Sequence, residues 1–215
     1  MIILAIRHAE TEMKWPAVMN SRQFDAAVKK YSEGGISNDN CLQNYPDERR
    51  IVWCSEEKRS YETAERMFPN AVIRRTALLN EVPICSSCDT DFSSGYSRWM
   101  LRGRLQWLIG HARQPETRKQ SLERASRFLH LLEEKGEDCI IVGHGFFLNV
   151  FIWKCARSGY RITRGSLLHI SHLERVRIAS RSLHCGGCAA DCLLTSPKCQ
   201  TGKEKAAKRG IGQSK

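Results

Sequence analysis

Four side chains able to handle an anion stand immediately after short apolar runs. After IILAI (2–6) comes Arg7-His8-Ala9-Glu10-Thr11; after IVWC (51–54) come Ser55 and, one helical turn later, Arg59; after CIIV (139–142) comes Gly143-His144-Gly145. In open α/β sheets ligands sit beyond the carboxyl ends of the strands, so residues at these three handovers share one edge. A single histidine at a strand end is ordinarily structural. Two histidines and two arginines at equivalent topological positions make a candidate site.

Two chemistries compete for that residue set. Paired histidines suit a metal, but adjacent guanidinium groups would repel the cation and no acidic third ligand is evident, so no metal and no other cofactor is expected. A phosphoryl group fits better. Arginine forks bind its oxygens bidentately, neutral imidazole can act as the nucleophile, and nearby cations favour that neutral form. Helix N-termini at the same edge add N–H donors for an anion. Expelling an alcohol then needs a proton donor. Glu81 in ALLNEVPI, after the strand-like AVIRR, is the natural candidate, with Glu10 and Asp89 as rivals; Glu10 and Thr11 fit better as residues that orient the first loop.

The elements that must position these residues follow from periodicity. IILAI, IVWC and CIIV are continuous apolar runs, as expected for strands covered on both faces. In 21–33, Phe24, Ala27, Val28 and Tyr31 form a helical stripe, with Ser21 expected as N-cap and Gly34-Gly35 as the stop. Leu122, Ala125, Leu129 and Leu132 form one face of a helix over 116–135, ended by Gly136. SEEKRSYETAERMF (55–68) and FFLNVFIWKCAR (146–157) each follow a strand directly. Strands alternating with helices predict a three-layer α/β/α sandwich with a mostly parallel central sheet. Residues 83–110 are less regular and read either as a lid or specificity wall, or as an insertion with one short helix.

Composition bounds the rest. The 215 residues are 41% hydrophobic and 27% charged, enough for one substantial core. No stretch reaches the ~20 apolar residues that cross a bilayer, and MIILAI lacks a basic leader. A cytoplasmic protein with reduced thiols is therefore expected. The net charge of +11 is concentrated late, with nine basic and three acidic residues in 173–215. Without a nucleic-acid motif, that balance points to a small phosphorylated substrate or a phosphoprotein, and nucleic acid is not expected as partner. The expected catalytic domain spans 1–180, followed by a disordered basic tail over 181–215. Cys185, Cys188, Cys192 and Cys199, with His184, have spacings that could bind zinc but match no common finger. Cys85-x-x-Cys88 falls in a predicted loop, and His111, His130, His169, His172 and His184 lack a matching constellation. Nothing in the sequence specifies an oligomeric state or a particular substrate.

The motifs resemble those of the histidine phosphatase superfamily, also called phosphoglycerate mutase-like. IRHAET is similar to its N-terminal RHG-E-T motif. Ser55, Arg59, Thr63 and Ala64 match its S-x-x-x-R-x-x-x-T-A element, Glu81 falls where its acid lies, and VGHG matches its second histidine motif. The resemblance runs in order from residue 1 to about 172. It implies a phosphoglycerate mutase-like fold and a metal-independent phosphatase in which His8 attacks phosphorus and becomes a transient phosphohistidine. Arg7, Arg59 and His144 would hold the phosphoryl oxygens and stabilise developing charge. Glu81 would protonate the leaving oxygen. Three departures stand out. Ala9 replaces the usual glycine, Phe146 and Phe147 suggest an apolar wall beside the phosphate, and the W-N and G-W-D elements of the glycolytic mutases are missing. The last favours hydrolysis of a phosphomonoester over mutase activity. Two alternatives remain open: a protein phosphohistidine phosphatase, and an inactive relative that binds phosphorylated ligands.

Overall fold

The computed structural model describes residues 1–37, 42–164 and 175–180. The chain divides into two units, Met1–His184 and Cys185–Lys215. The second unit lies wholly outside the described residues, and with it the expected tail and its four cysteines.

In chain order the elements are β1 (Ile2–Arg7), β2 (Val18–Met19), α1 (Ser21–Glu33), β3 (Ile51–Cys54), α2 (Lys58–Met67), β4 (Ile73–Arg75), a 3-10 turn (Ala77–Leu79), β5 (Ser94–Gly95), α3 (Tyr96–Ile109), α4 (Arg118–Lys135), β6 (Cys139–Gly143), α5 (Gly145–Arg157), β7 (Arg161–Arg164) and β8 (Arg175–Ala179). One six-stranded sheet has the order β4-β3-β6-β1-β8-β7. Its first four strands are parallel, and β8 and β7 extend it antiparallel. The sheet is thus mostly parallel, as the alternation of strands and helices predicts. The antiparallel pair was not legible, because RITR and RVRIA lack a continuous apolar run.

Side chains alternate across the central strands with the period of two that an extended chain imposes. Ile3, Ala5, Trp53, Cys139 and Ile141 join the core on the face covered by α4 and α5, where Phe128, Leu129, Leu132, Phe147 and Phe151 meet them. Ile6, Val52, Cys54, Ile140 and Val142 point to the other face, under Ala64, Met67 and Phe68. This is the three-layer arrangement. Burial pushes the thiols of Cys54, Cys139 and Cys155 up to about 12, so they serve as small apolar side chains. A third, smaller cluster lies apart from both faces. Met19, Phe24, Ala27 and Trp99 join α1 and α3 to the two-stranded β2–β5 ribbon, with Trp99 Nε1 donating to Met19 O at 2.8 Å.

Helix ends differ from expectation by a few residues. The N-cap of α1 is Asn20, not Ser21: Asn20 and Gln23 form a capping box, and Ser21 is the first helical residue. Thr117 and Gln120 do the same for α4, and Gly136 at φ 66° ends it. The helix after β3 begins at Lys58 rather than running on from Ser55, so Ser55–Glu57 form a bend. The 83–110 segment contains the fourteen-residue α3, longer than a short insertion helix, preceded by loop in which Cys85 and Cys88 are free thiols.

Arg124 on α4 ties one loop of the functional edge to this frame. Its Nη1 donates to Leu78 O and Asn80 O (3.1 and 2.6 Å), its Nη2 pairs with both Glu116 oxygens (3.1 and 3.0 Å), and its guanidinium lies 4.1 Å from the Phe147 ring centroid. Removing one partner of such a network strands the others. Arg124→Met is expected to lower unfolding free energy by about 3 kcal/mol, read as a reduced midpoint in urea denaturation.

Candidate active site

Strand register brings the three motifs to one level. β1 and β6 pair in parallel with Arg7 opposite Gly143, and β3 pairs with β6 so that Cys54 lies opposite Val142. The next residues are therefore neighbours: His8 N donates to Gly143 O at 2.8 Å, and Ser55 N lies 3.4 Å from Val142 O. The His8 and His144 rings stand 5.0 Å apart between centroids, tilted by 56°. Both are buried, His8 at 4% and His144 at 0% exposure.

Hydrogen bonding assigns the tautomer of His8. Its Nδ1 lies 2.7 Å from Ala9 O, and a carbonyl only accepts, so Nδ1 carries the proton. Nε2 is then the basic nitrogen, and Arg59 Nε approaches it as donor at 3.3 Å. Thr63 holds the turn after His8 in place, accepting from Ala9 N at 3.0 Å while donating to Arg59 O at 2.7 Å. Ser60 Oγ secures the facing bend by donating to Val142 O at 2.7 Å.

Arg59 is 1% exposed and well engaged. Besides Nε on His8, its Nη1 donates to Tyr31 O and Ser32 O (3.0 and 3.2 Å), and its guanidinium lies 4.6 Å from the Tyr31 ring centroid. Its Nη2 meets Glu57 Oε2 in a close ion pair.

His144 caps α5 without a side-chain bond to the helix. Its Nε2 is 2.6 Å from Ser55 Oγ, which accepts from Glu57 N at 3.2 Å. The other ring nitrogen, Nδ1, is buried without a partner. Burial, then the charge of the Arg59 guanidinium, holds the His144 pKa well below the ordinary histidine range, so the ring is neutral. Arg7 Nε is likewise buried without a partner. The glycines around His144 do not serve a left-handed turn, since neither has a positive φ. Gly145 instead leaves room for Arg7: a Cβ there would lie 3.2 Å from Arg7 Nε. At Gly143 a Cβ would make only ordinary contact with Leu148.

Of the three candidate acids, Glu81 is at this edge. Its Oε1 accepts from Val82 N and Phe147 N (2.9 and 2.8 Å), and its Oε2 from Phe146 N (3.3 Å), so the carboxylate caps α5 just beyond His144. Asp89 is paired instead with Arg113 in an exposed ion pair. Glu10 is exposed, and its carbonyl accepts from Ser37 N. The expected apolar wall is only half present: Phe147 is a core side chain, whereas Phe146 is partly buried, with the Arg104 guanidinium 3.7 Å from its centroid.

Sequence reasoning missed Glu57. Its Oε1 accepts from Glu81 N at 2.7 Å and lies 3.5 Å from His144 Nε2. Burial pushes its pKa up, opposed by the Arg59 charge beside it. Inside the helical pattern expected over 55–68 Glu57 carried no distinguishing signal; the structure puts it in the bend before α2, where its side chain makes no cap bond. His111 and His130 are exposed, and the other three histidines set aside above fall outside the described residues. Among the described residues no group of three or more His, Cys, Asp or Glu could hold a metal ion, and no helix is long and apolar enough to cross a membrane.

The chain is similar to several solved structures. One is phosphoserine phosphatase of Entamoeba histolytica in complex with 3-phosphoglyceric acid, at 15% identity over 73% of this chain and 80% of that one, TM-score 0.48. A putative α-ribazole-5′-P phosphatase of Escherichia coli aligns at 16% identity over 72% and 79%, TM-score 0.46. Phosphoglycerate mutase of Plasmodium falciparum aligns at 16% identity over 82% and 98%, TM-score 0.37. No curated protein matches. The model of the histidine phosphatase superfamily (branch 1) matches residues 3–182, a span that takes in Arg7, His8, Arg59, Glu81 and His144, and the chain belongs to that superfamily.

Proposed function

We propose that the protein is a phosphatase that hydrolyses a small phosphomonoester through a phosphohistidine on His8, without a metal. The observation that carries this reading is the tautomer of His8. With Nδ1 committed to Ala9 O, the lone pair sits on Nε2, beside the Arg59 guanidinium. A neutral imidazole next to a fixed cation is a nucleophile facing a site that attracts its anionic target. Two of the buried nitrogens without partners among the described residues, Arg7 Nε and His144 Nδ1, lie at this edge and are groups that a phosphoryl group would satisfy. Arg7, Arg59 and His144 then stabilise the charge on the equatorial oxygens as phosphorus passes from the ester oxygen to Nε2.

Glu81 is the proposed proton donor to the departing alcohol, and afterwards the base that activates the water attacking phospho-His8. Its support is position: the carboxylate is fixed by the backbone of Phe146 and Phe147, two and three residues beyond His144. Hydrolysis, rather than transfer to a second hydroxyl, is favoured by the absence of the mutase-type elements after the first motif.

His8→Ala is expected to reduce hydrolysis of p-nitrophenyl phosphate by more than about a thousandfold, and to abolish an acid-labile, base-stable label transferred from substrate. Full activity in that variant would sink the mechanism. Glu81→Gln is expected to lower kcat by about 10²- to 10⁴-fold on alkyl phosphates and by less on p-nitrophenyl phosphate, whose leaving group needs little protonation. Equal indifference on both esters would remove Glu81 from the reaction and favour a phosphoramidate substrate.

A further inference from the structure

A carboxylate in a phosphate pocket calls for explanation, because it repels the ligand the pocket serves. Glu57 is held there on three sides. From α2, Arg59 Nη2 forms the ion pair with Oε2; from the turn before Val82, Glu81 N donates to Oε1; from the β6–α5 junction, His144 Nε2 faces Oε1 at 3.5 Å. The remaining charges near it are the Glu81 carboxylate and, around His144, the guanidinium groups of Arg124 and Arg7. The Glu57 side chain is only 16% exposed.

These contacts leave Glu57 with a single counter-ion. His144 is neutral, so its approach to Oε1 supplies no ionic compensation. The Arg59 pair, through Nη2 and Oε2, supplies that counter-charge, and Oε2 has no hydrogen bond to any other described residue. Arg59 Nε and Nη1 are already committed to His8 and to the end of α1. Nη2 is therefore the part of the guanidinium that an incoming phosphoryl oxygen can claim, and it is the part Glu57 holds.

On the reading that the pocket binds phosphoryl groups, we propose that Glu57 is an internal competitor for Arg59, and that phosphoryl binding displaces its ion pair and is accompanied by uptake of one proton on Glu57. A carboxylate that loses its only counter-ion while a dianion arrives is destabilised twice, and protonation removes both penalties. The proton comes from solvent and remains on a Glu57 oxygen, which can then donate a hydrogen bond instead of repelling the ligand. The sign follows: the affinity for phosphate falls as pH rises and the empty-pocket Glu57 ionises. Already raised by burial, that ionisation brings the effect closer to neutral pH.

The test compares the wild-type protein with Glu57→Gln, which keeps the shape and the acceptor for Glu81 N but carries no charge. Binding of inorganic phosphate is measured by calorimetry between pH 5.5 and 8.5 in two buffers of different ionisation enthalpy; the titration of phosphate itself is common to both proteins. At the alkaline end the variant is expected to bind about tenfold more tightly for each unit by which ligand raises the Glu57 pKa, and at pH between the free and ligand-bound values to take up about one proton fewer. At the acid end the two affinities converge. A second measurement needs no variant: the carboxyl carbon resonance of Glu57 in the wild type moves towards the protonated acid as phosphate saturates the site. Equal or weaker binding by Glu57→Gln at alkaline pH, an unchanged proton count or an unmoved resonance would overturn the inference and leave the phosphatase reading intact. A wild-type protein that binds no phosphate at any pH would overturn both.

Discussion

The parallel pairing of β6 with β1 on one side and with β3 on the other is the constraint on which everything else rests. Parallel strands that start level also end level, so the residues that follow them emerge together. With Arg7 opposite Gly143 and Cys54 opposite Val142, the chain needs no long loop to bring His8, Ser55 and His144 into contact. A slip of one residue on β1 would exchange its two faces and carry Ile3 and Ala5 out of the larger core. The hydrophobic pattern that selects the register therefore also sets the geometry of the site.

That geometry gathers positive charge where water is scarce, and the protein meets the cost locally. Arg59 is compensated by the end of α1 and by Glu57; Arg124, further back, is compensated by Glu116 and two carbonyls. Glu81 spends both oxygens on the first N–H groups of α5 and the N–H of Val82. Among the described residues the buried side-chain atoms without a hydrogen-bond partner are Arg7 Nε, Glu57 Oε2, Ser87 Oγ, Arg104 Nε and His144 Nδ1, and two of them, Arg7 Nε and His144 Nδ1, adjoin His8 through Gly145 and the paired rings. Buried polar atoms without partners are uncommon in folded proteins, which sets this edge apart.

Much of this was legible in the sequence because it rests on local patterns. IILAI, IVWC and CIIV announce buried strands, and Arg7, His8, Arg59 and His144 announce their chemistry by where they follow those strands. What was illegible depends on partners far away in the chain. The Asn20 cap displaced Ser21 because capping is decided by a reciprocal bond with Gln23. Asp89 stood as a rival to Glu81, and its exposed ion pair with Arg113, distant in sequence, could not be read from the chain. Glu57 fell within the helical pattern of 55–68, and neither its burial nor its contact with His144 leaves a mark on neighbouring residues. The role of Gly145 was equally illegible, because the clearance it gives depends on the Arg7 side chain from another strand.

The grip of Arg59 on Tyr31 O and Ser32 O links two layers otherwise built from separate clusters. Helix α1 belongs to the small outlying cluster with α3, yet its last turn is one of the stops against which the guanidinium rests. The aim of Arg59 at Nε2 is thus fixed by how Phe24 and Trp99 seat that helix. Packing remote from the sheet becomes part of the alignment of Arg59 on His8 Nε2, so a substitution at Phe24 or Trp99 reaches that nitrogen without touching it.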